Sequence, residues 1–187
     1  MNLSKVIINI AIFQAGWLGC VLGASHGLPW LGPVLALPVI GWHMANADRP
    51  GDELRFVLLA TLLGGLFDQL LLAMDLVVFA AVNGWPSALL PPWMIALWLM
   101  FSTTPAISLR WLRGRFAVAA FLGLLCAPLA YIAGAGVGAL FLTDMPISLL
   151  AIGLGWAAIM PTLMQLHFLL GGYTGNARET AGAMHHV

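Results

Sequence analysis

The sequence predicts an all-α, polytopic membrane protein: a six-transmembrane-helix bundle with both termini cytoplasmic. Three observations carry that expectation. Of the 187 residues, 61% are hydrophobic and only 7% are charged, whereas a soluble domain carries roughly 25% charged residues. So little charge cannot cover a water-facing surface. The apolar runs are long and unbroken, unlike the alternating segments of about ten residues that a membrane β-barrel needs. Finally, every basic residue falls on one side of a six-span drawing. The spans lie at about 6–24, 31–46, 54–82, 92–112, 116–142 and 147–170, each near the ~20 residues that a bilayer requires. They form one domain with no linker.

The first span opens after Lys5 and carries Ala11, Ala15, Gly19 and Gly23 at four-residue spacing. Small residues at that spacing let helices approach closely. The stripe serves packing within the bundle or docking onto the helix of a partner membrane protein. Lys5 before an apolar run also fits the start of a signal peptide, and Leu18-Gly19-Cys20 hints at a lipoprotein cleavage site. Trp17 stands where such a site takes a small aliphatic residue, so the span is expected to be kept. The second span ends on Trp42 and His43.

The third span carries two carboxylates, Asp68 and Asp75, seven residues apart and on one face of a helix with Thr61 and Gly64. Its length, like that of the fifth, predicts tilt or protrusion. In the fourth, Ser102, Thr103 and Thr104 precede Pro105. The proline predicts a kink, with the hydroxyls bonding the carbonyls that it frees. The fifth carries Pro128, Tyr131, Gly134 and Gly138, and the sixth carries Pro161 and His167.

Lys5, Arg49, Arg55, Arg110, Arg113, Arg115 and Arg178 share one side, and the loops around 25–30, 83–91 and 143–146 hold no basic residue. The positive-inside rule puts that side in the cytoplasm. Trp30, Trp85 and Trp93 then mark the outer interface, and Trp42 and Trp111 the inner one.

A helix rise of 1.5 Å per residue sets depths from the basic flank. Gln14 lies ~14 Å in, Asp68 ~20 Å, Tyr131 ~24 Å and Asp75 ~30 Å. An intramembrane acid is costly and marks a site by default. No Lys or Arg reaches the layer of Asp68. Its carboxyl must therefore be neutral, face a wet cavity, or be hydrogen-bonded to Gln14 or Tyr131. The candidate ligand-binding residues are Gln14, Trp17, Asp68, Asp75 and Tyr131. The bland alternative is a carboxyl that ties two helices together.

His43, Arg110, Trp111, Arg113 and His167 form a second candidate group, at the level of the cytoplasmic headgroups. The loop Arg110–Arg115 could hold an anionic lipid. No His-x-x-x-His, Glu-x-x-His or Cys pair supports a metal, and His185 and His186 lie in a tail. No cofactor fingerprint is present, and a formal net charge of +0 gives no case for nucleic acid. Cys20 and Cys126 sit in apolar runs and imply no disulfide.

Several motifs together carry a resemblance over roughly residues 9–170: Phe13-Gln14-x-x-Trp17, Gly27-Leu28-Pro29-Trp30-Leu31-Gly32-Pro33, Trp42-His43, Asp68, Pro92-Trp93-Met94 with Leu97-Trp98, Ser108-x-x-Trp111-Leu112 and Tyr131-x-x-Gly134. In order and spacing they resemble a family of small bacterial inner-membrane proteins catalogued as domain of unknown function 2878. Relatives encoded near cyclopropane-fatty-acid-synthase-like genes imply a role close to membrane lipid. The size and six-span plan also resemble the substrate-binding subunits of energy-coupling-factor vitamin transporters, in which an Ala-x-x-x-Ala stripe such as Ala11 to Ala15 docks a partner.

Three functions follow as expectations. The first is binding or transport of a lipid or small amphiphile beside Gln14, Asp68 and Tyr131. The second is a non-catalytic accessory subunit of a larger membrane complex. The third is an enzyme that modifies acyl chains.

Overall fold

Six helices and one short β-ladder make up the computed structural model, which describes the backbone of residues 3–184 and the side chains of residues 3–171. The helices are α1 (Leu3–Ser25), α2 (Leu31–Ala45), α3 (Pro50–Ala73), α4 (Pro92–Phe101), α5 (Phe116–Gly136) and α6 (Met145–Met184). Strand β1 (Val77–Phe79) pairs antiparallel with β2 (Leu140–Leu142), placing Val78 opposite Phe141. The side chain of Arg178 and all of His185 and His186 lie outside the described residues.

Four helices, α1, α3, α5 and the Met145–Gly171 part of α6, are long and apolar enough to cross a membrane. Large apolar side chains such as Leu58, Leu62, Leu66 and Leu70 on α3 point outward, as a lipid-facing surface requires. The chain is a multi-pass membrane protein. The other two helices are short: α2 has 15 residues and α4 has 10, or about 22 Å and 15 Å of rise. Neither alone covers a hydrocarbon core of ~30 Å.

The two over-long spans do not protrude as helices. Both end early and fold into the ladder. In α3 the stop is Asp75, with a φ of 56°. Its N–H donates to the Leu72 carbonyl at 3.0 Å, and the Leu76 N–H donates to the Leu71 carbonyl at 3.0 Å. That pair of bonds is a Schellman cap. Gly138, with a φ of 83°, closes α5 through the matching bonds to Ala135 and Gly134, and Gly27 closes α1 through bonds to Ala24 and Gly23. Three helices thus stop at one end of the bundle with the same device. The β-branched and aromatic residues Val77, Val78, Phe79 and Phe141 then favour extended backbone. Asp75 is exposed on this turn and does not share a helix face with Asp68. The expected pair of carboxylates does not form.

The fourth span is broken rather than kinked. The Ser102 hydroxyl donates to the Trp98 carbonyl at 2.7 Å, Thr103 to Met100 at 2.8 Å and Thr104 to Phe101 at 2.8 Å. Pro105 lacks an N–H, and it disfavours helix at Thr104. The chain continues as turns, including one 3₁₀ turn at Arg110–Leu112, until α5 begins. Ser102, Thr103, Thr104 and Pro105 are all buried. Irregular backbone at membrane depth is tolerated where protein covers it. Asn9 on α1 adds cover by donating to the Thr103 hydroxyl at 3.1 Å.

The core divides into two clusters. One surrounds Cys20, Val77, Phe79 and Trp93 toward the ladder end, and the other surrounds Phe56, Trp98, Leu112 and Leu163 toward the basic end. Phe67 and Trp156 pack against both. Trp93, expected at an interface, is buried against Phe79 with ring centroids 5.8 Å apart. Of the small-residue stripe on α1, Gly19 meets Leu35 and Gly23 meets Leu31, both on α2, while Ala11 and Ala15 are exposed.

Candidate functional site

Helix α5 packs on α6 and stands away from α1 and α4. The gap is a cavity of about 510 Å³, within the roughly 300–1,000 Å³ of small-molecule sites. Phe13, Gln14, Trp17 and Val21 line it from α1, Trp93, Leu97 and Phe101 from α4, Cys126, Ala130 and Tyr131 from α5, and Trp156 and Met160 from α6. Its walls are almost wholly apolar. Gln14 and Tyr131 supply side-chain polarity from the two sides.

Behind that wall lies Asp68, with 0% of its surface exposed. One carboxyl oxygen accepts from the Tyr131 hydroxyl, and the other accepts from Trp98 Nε1–H at 2.6 Å. Gln14 is not a partner of Asp68; it faces the groove. Trp98 is held in turn. It stacks on Trp156 at 4.8 Å with 16° between the planes, and it meets Phe101 edge-on at 5.7 Å. Its ring lies over Gly64, where any Cβ would overlap it. The stripe Thr61, Gly64 and Asp68 on α3 therefore faces α4, and the Thr61 hydroxyl meets that of Ser102 at 3.4 Å. Asp68 thus acts on the groove through Tyr131, whose orientation it fixes.

A second polar group closes the basic end. Glu53, in the first turn of α3, bridges two imidazoles, with Oε2 3.1 Å from His43 Nε2 and Oε1 2.9 Å from His167 Nε2. Arg113 Nη2 lies 2.6 Å from His167 Nδ1. A guanidinium can only donate, so Nδ1 of His167 accepts and its Nε2 carries the proton given to Glu53. Burial, and next the charge of Arg110, pull the pKa of Arg113 below the ordinary arginine value, while Glu53 opposes that shift. His43 is 2% exposed, and its Nδ1 is buried without a partner. A cavity of about 180 Å³ adjoins it, lined also by Lys5, Asn46, Asp48, Glu53, Ile107 and Arg110. Among the described residues, no set of three or more His, Cys, Asp or Glu side chains is arranged to hold a metal ion.

Residues 6–162 match the family described as "Protein of unknown function (DUF2878)". The chain belongs to this family. No curated protein and no solved structure matches it. The DUF2878 region takes in the whole lateral groove and Glu53, and it ends just short of His167.

The structure of this DUF2878 member brings Gln14, Trp17 and Tyr131 together on one groove and places Asp68 one layer behind them. Asp75 lies apart, on the ladder-end turn. His43, His167 and Arg113 meet through Glu53, while Arg110 lines the neighbouring cavity and Trp111 is exposed, 6.0 Å from the Arg115 guanidinium. Sequence reasoning missed Glu53 and Asn9, and it named Trp98 only within a motif and not as a partner of Asp68. Each was detectable by depth: Trp98 falls in the Asp68 layer, Glu53 in the layer of the two histidines, and Asn9 in that of Thr103.

Proposed function

We propose that this protein binds a lipid or small amphiphile in the lateral groove, with the chain along the apolar wall and a polar atom met by Gln14 or Tyr131. The observation that carries this reading is a 510 Å³ opening between α1 and α5, with Gln14 on one bank, Tyr131 on the other, and the unpartnered indole N–H groups of Trp93 and Trp156 among its lining residues. Such a gap in a lipid-facing surface fills with an acyl chain or a ligand, because an empty apolar cavity forfeits its dispersion contacts. The Asp68–Tyr131–Trp98 network holds the hydroxyl of Tyr131 at the wall. Since that hydroxyl gives its proton to Asp68, its oxygen is left to accept, which suits a protonated carboxyl or a hydroxyl of the ligand. Transport would follow from exchange of the ligand through the same lateral opening.

In this reading the chain crosses a bacterial inner membrane six times, with both termini inside. α2 and α4 cross with help from the turns that follow them. The clustering of Lys5, Arg49, Arg55, Arg110, Arg113 and Arg115 at one end supports that orientation.

Cys126 offers a direct test, because it lines the groove and is exposed, whereas Cys20 is buried. A maleimide should label Cys126 in detergent, and a single-chain amphiphile such as a fatty acid or lysophospholipid should slow that labelling. In Ala130→Trp, which fills the groove, the protection should vanish. Labelling indifferent to every amphiphile tried would remove the proposal.

A further inference from the structure

The cavity at the basic end stands apart from the groove and has its own chemistry. Lys5 and Arg110 line it, and both are exposed. His43 forms part of the inner wall, 2% exposed and with Nδ1 lacking any partner. A buried polar atom without a partner costs free energy, so its presence beside a cavity points to a missing ligand. The Nε2–H of His43 is committed to Glu53, whose carboxylate accepts and cannot donate. The unfilled valence is therefore Nδ1 alone.

The charges that face this cavity are Lys5 from α1, Asp48 from the turn after α2, Glu53 from α3 and Arg110 from the turns before α5. The two cations balance the two acids, and both Glu53 oxygens are already engaged by imidazoles. Arg113 stands behind, reaching Glu53 through His167. Counting Arg113, the surroundings carry one net positive charge.

We infer that this cavity is a phosphate site, in which the ligand's oxygens accept from Lys5 and from Arg110, and its P–OH or a hydroxyl of its substituent donates to Nδ1 of His43. The Glu53 carboxylate holds the Nε2–H tautomer from the far side, as an acid oriented on a histidine does. Space of about 180 Å³ admits a phosphate with a small substituent. The phosphate could belong to a phospholipid headgroup or be free in solution. This inference does not rest on the groove, since none of its residues line that opening.

The test uses the full chain in two arms. Equilibrium dialysis in detergent measures inorganic phosphate, and native mass spectrometry from nanodiscs measures retained phosphatidylglycerol against phosphatidylcholine. Lys5→Ala and Arg110→Ala are exposed changes that should leave folding intact. Each should weaken binding at least ~10-fold, the size of one lost charge-assisted hydrogen bond, while Arg55→Ala, which removes a charge outside the cavity, should not. His43→Phe, which keeps a ring and removes the Nδ1 acceptor, should weaken binding by a similar factor. Loss in the phosphatidylglycerol arm only assigns the site to a headgroup, and loss in the dialysis arm assigns it to free phosphate. Binding in neither arm, or equal loss in Arg55→Ala, overturns the assignment. Unchanged affinity in His43→Phe overturns the role of His43.

Discussion

Replacing Asp68 separates the value of its charge from the value of its two acceptor positions. In Asp68→Ala the Trp98 N–H loses its partner inside a fully buried ring environment. A buried orphan donor costs about 1–3 kcal/mol. The Tyr131 hydroxyl suffers less, because it can turn toward the groove. Transmembrane hydrogen bonds measured by double-mutant cycles average ~0.6 kcal/mol and reach ~1.7, which sets the scale for that second loss. With the small void left by the side chain, the sum is about 2–4 kcal/mol. Asp68→Asn differs. Its remaining oxygen can accept from Trp98, and its amide can donate to the Tyr131 oxygen. That variant should lose no more than ~1 kcal/mol. Equilibrium unfolding in mixed micelles with a titrated denaturing detergent measures both. If Asn costs as much as Ala, the charge and not the acceptor geometry holds this site. If Ala costs nothing, Asp68 does not organise the wall of the groove.

Three further outcomes follow from named contacts. Gly64→Ala places a methyl group where the Trp98 ring lies; because that ring is pinned by Asp68 and Trp156, unfolding should show a loss of about 1–3 kcal/mol. Asp75 caps α3 in the left-handed region, so Asp75→Gly should leave stability unchanged or higher by up to ~1 kcal/mol, whereas Asp75→Val should lose about 1–2. A drop in amphiphile binding for Asp75→Gly would return that residue to the site. Glu53→Gln puts an amide donor against one of two imidazole N–H groups, so a loss of about 1–3 kcal/mol is expected from the orphaned donor. A neutral result would mean that the bridge between α2, α3 and α6 contributes nothing.

How far the sequence reveals this molecule depends on which signal is local. Apolar run length locates all six helices, because the period and composition of each run are local properties. Helix ends are harder to read. In the third span the apolar run passes without interruption through Asp75 into Val77-Val78-Phe79, and only pairing with the distant Leu140–Leu142 makes that tail a strand. The fourth span shows a proline and three hydroxyls in sequence, but whether they bend or end a helix depends on cover from Asn9 and α3. For the site, depth counting brings Gln14 and Tyr131 into one layer and correctly offers Tyr131 as a partner of Asp68. It does not separate the side of α1 that lines the groove from the helix face that meets Asp68, so it also offers Gln14. Glu53 escapes notice because it sits at a helix start, where an acid is expected for the helix dipole alone.

The most direct measurement for the groove is native mass spectrometry of the purified protein and two tryptophan variants. Ala130→Trp fills the space beside Tyr131 and Cys126. Leu66→Trp adds the same bulk to the outward face of α3, where Leu66 is 59% exposed. The wild type and Leu66→Trp should each retain a defined amphiphile, and Ala130→Trp should not. Equal retention by all three proteins, or a spread of bulk lipid with no defined species on any of them, would contradict the account.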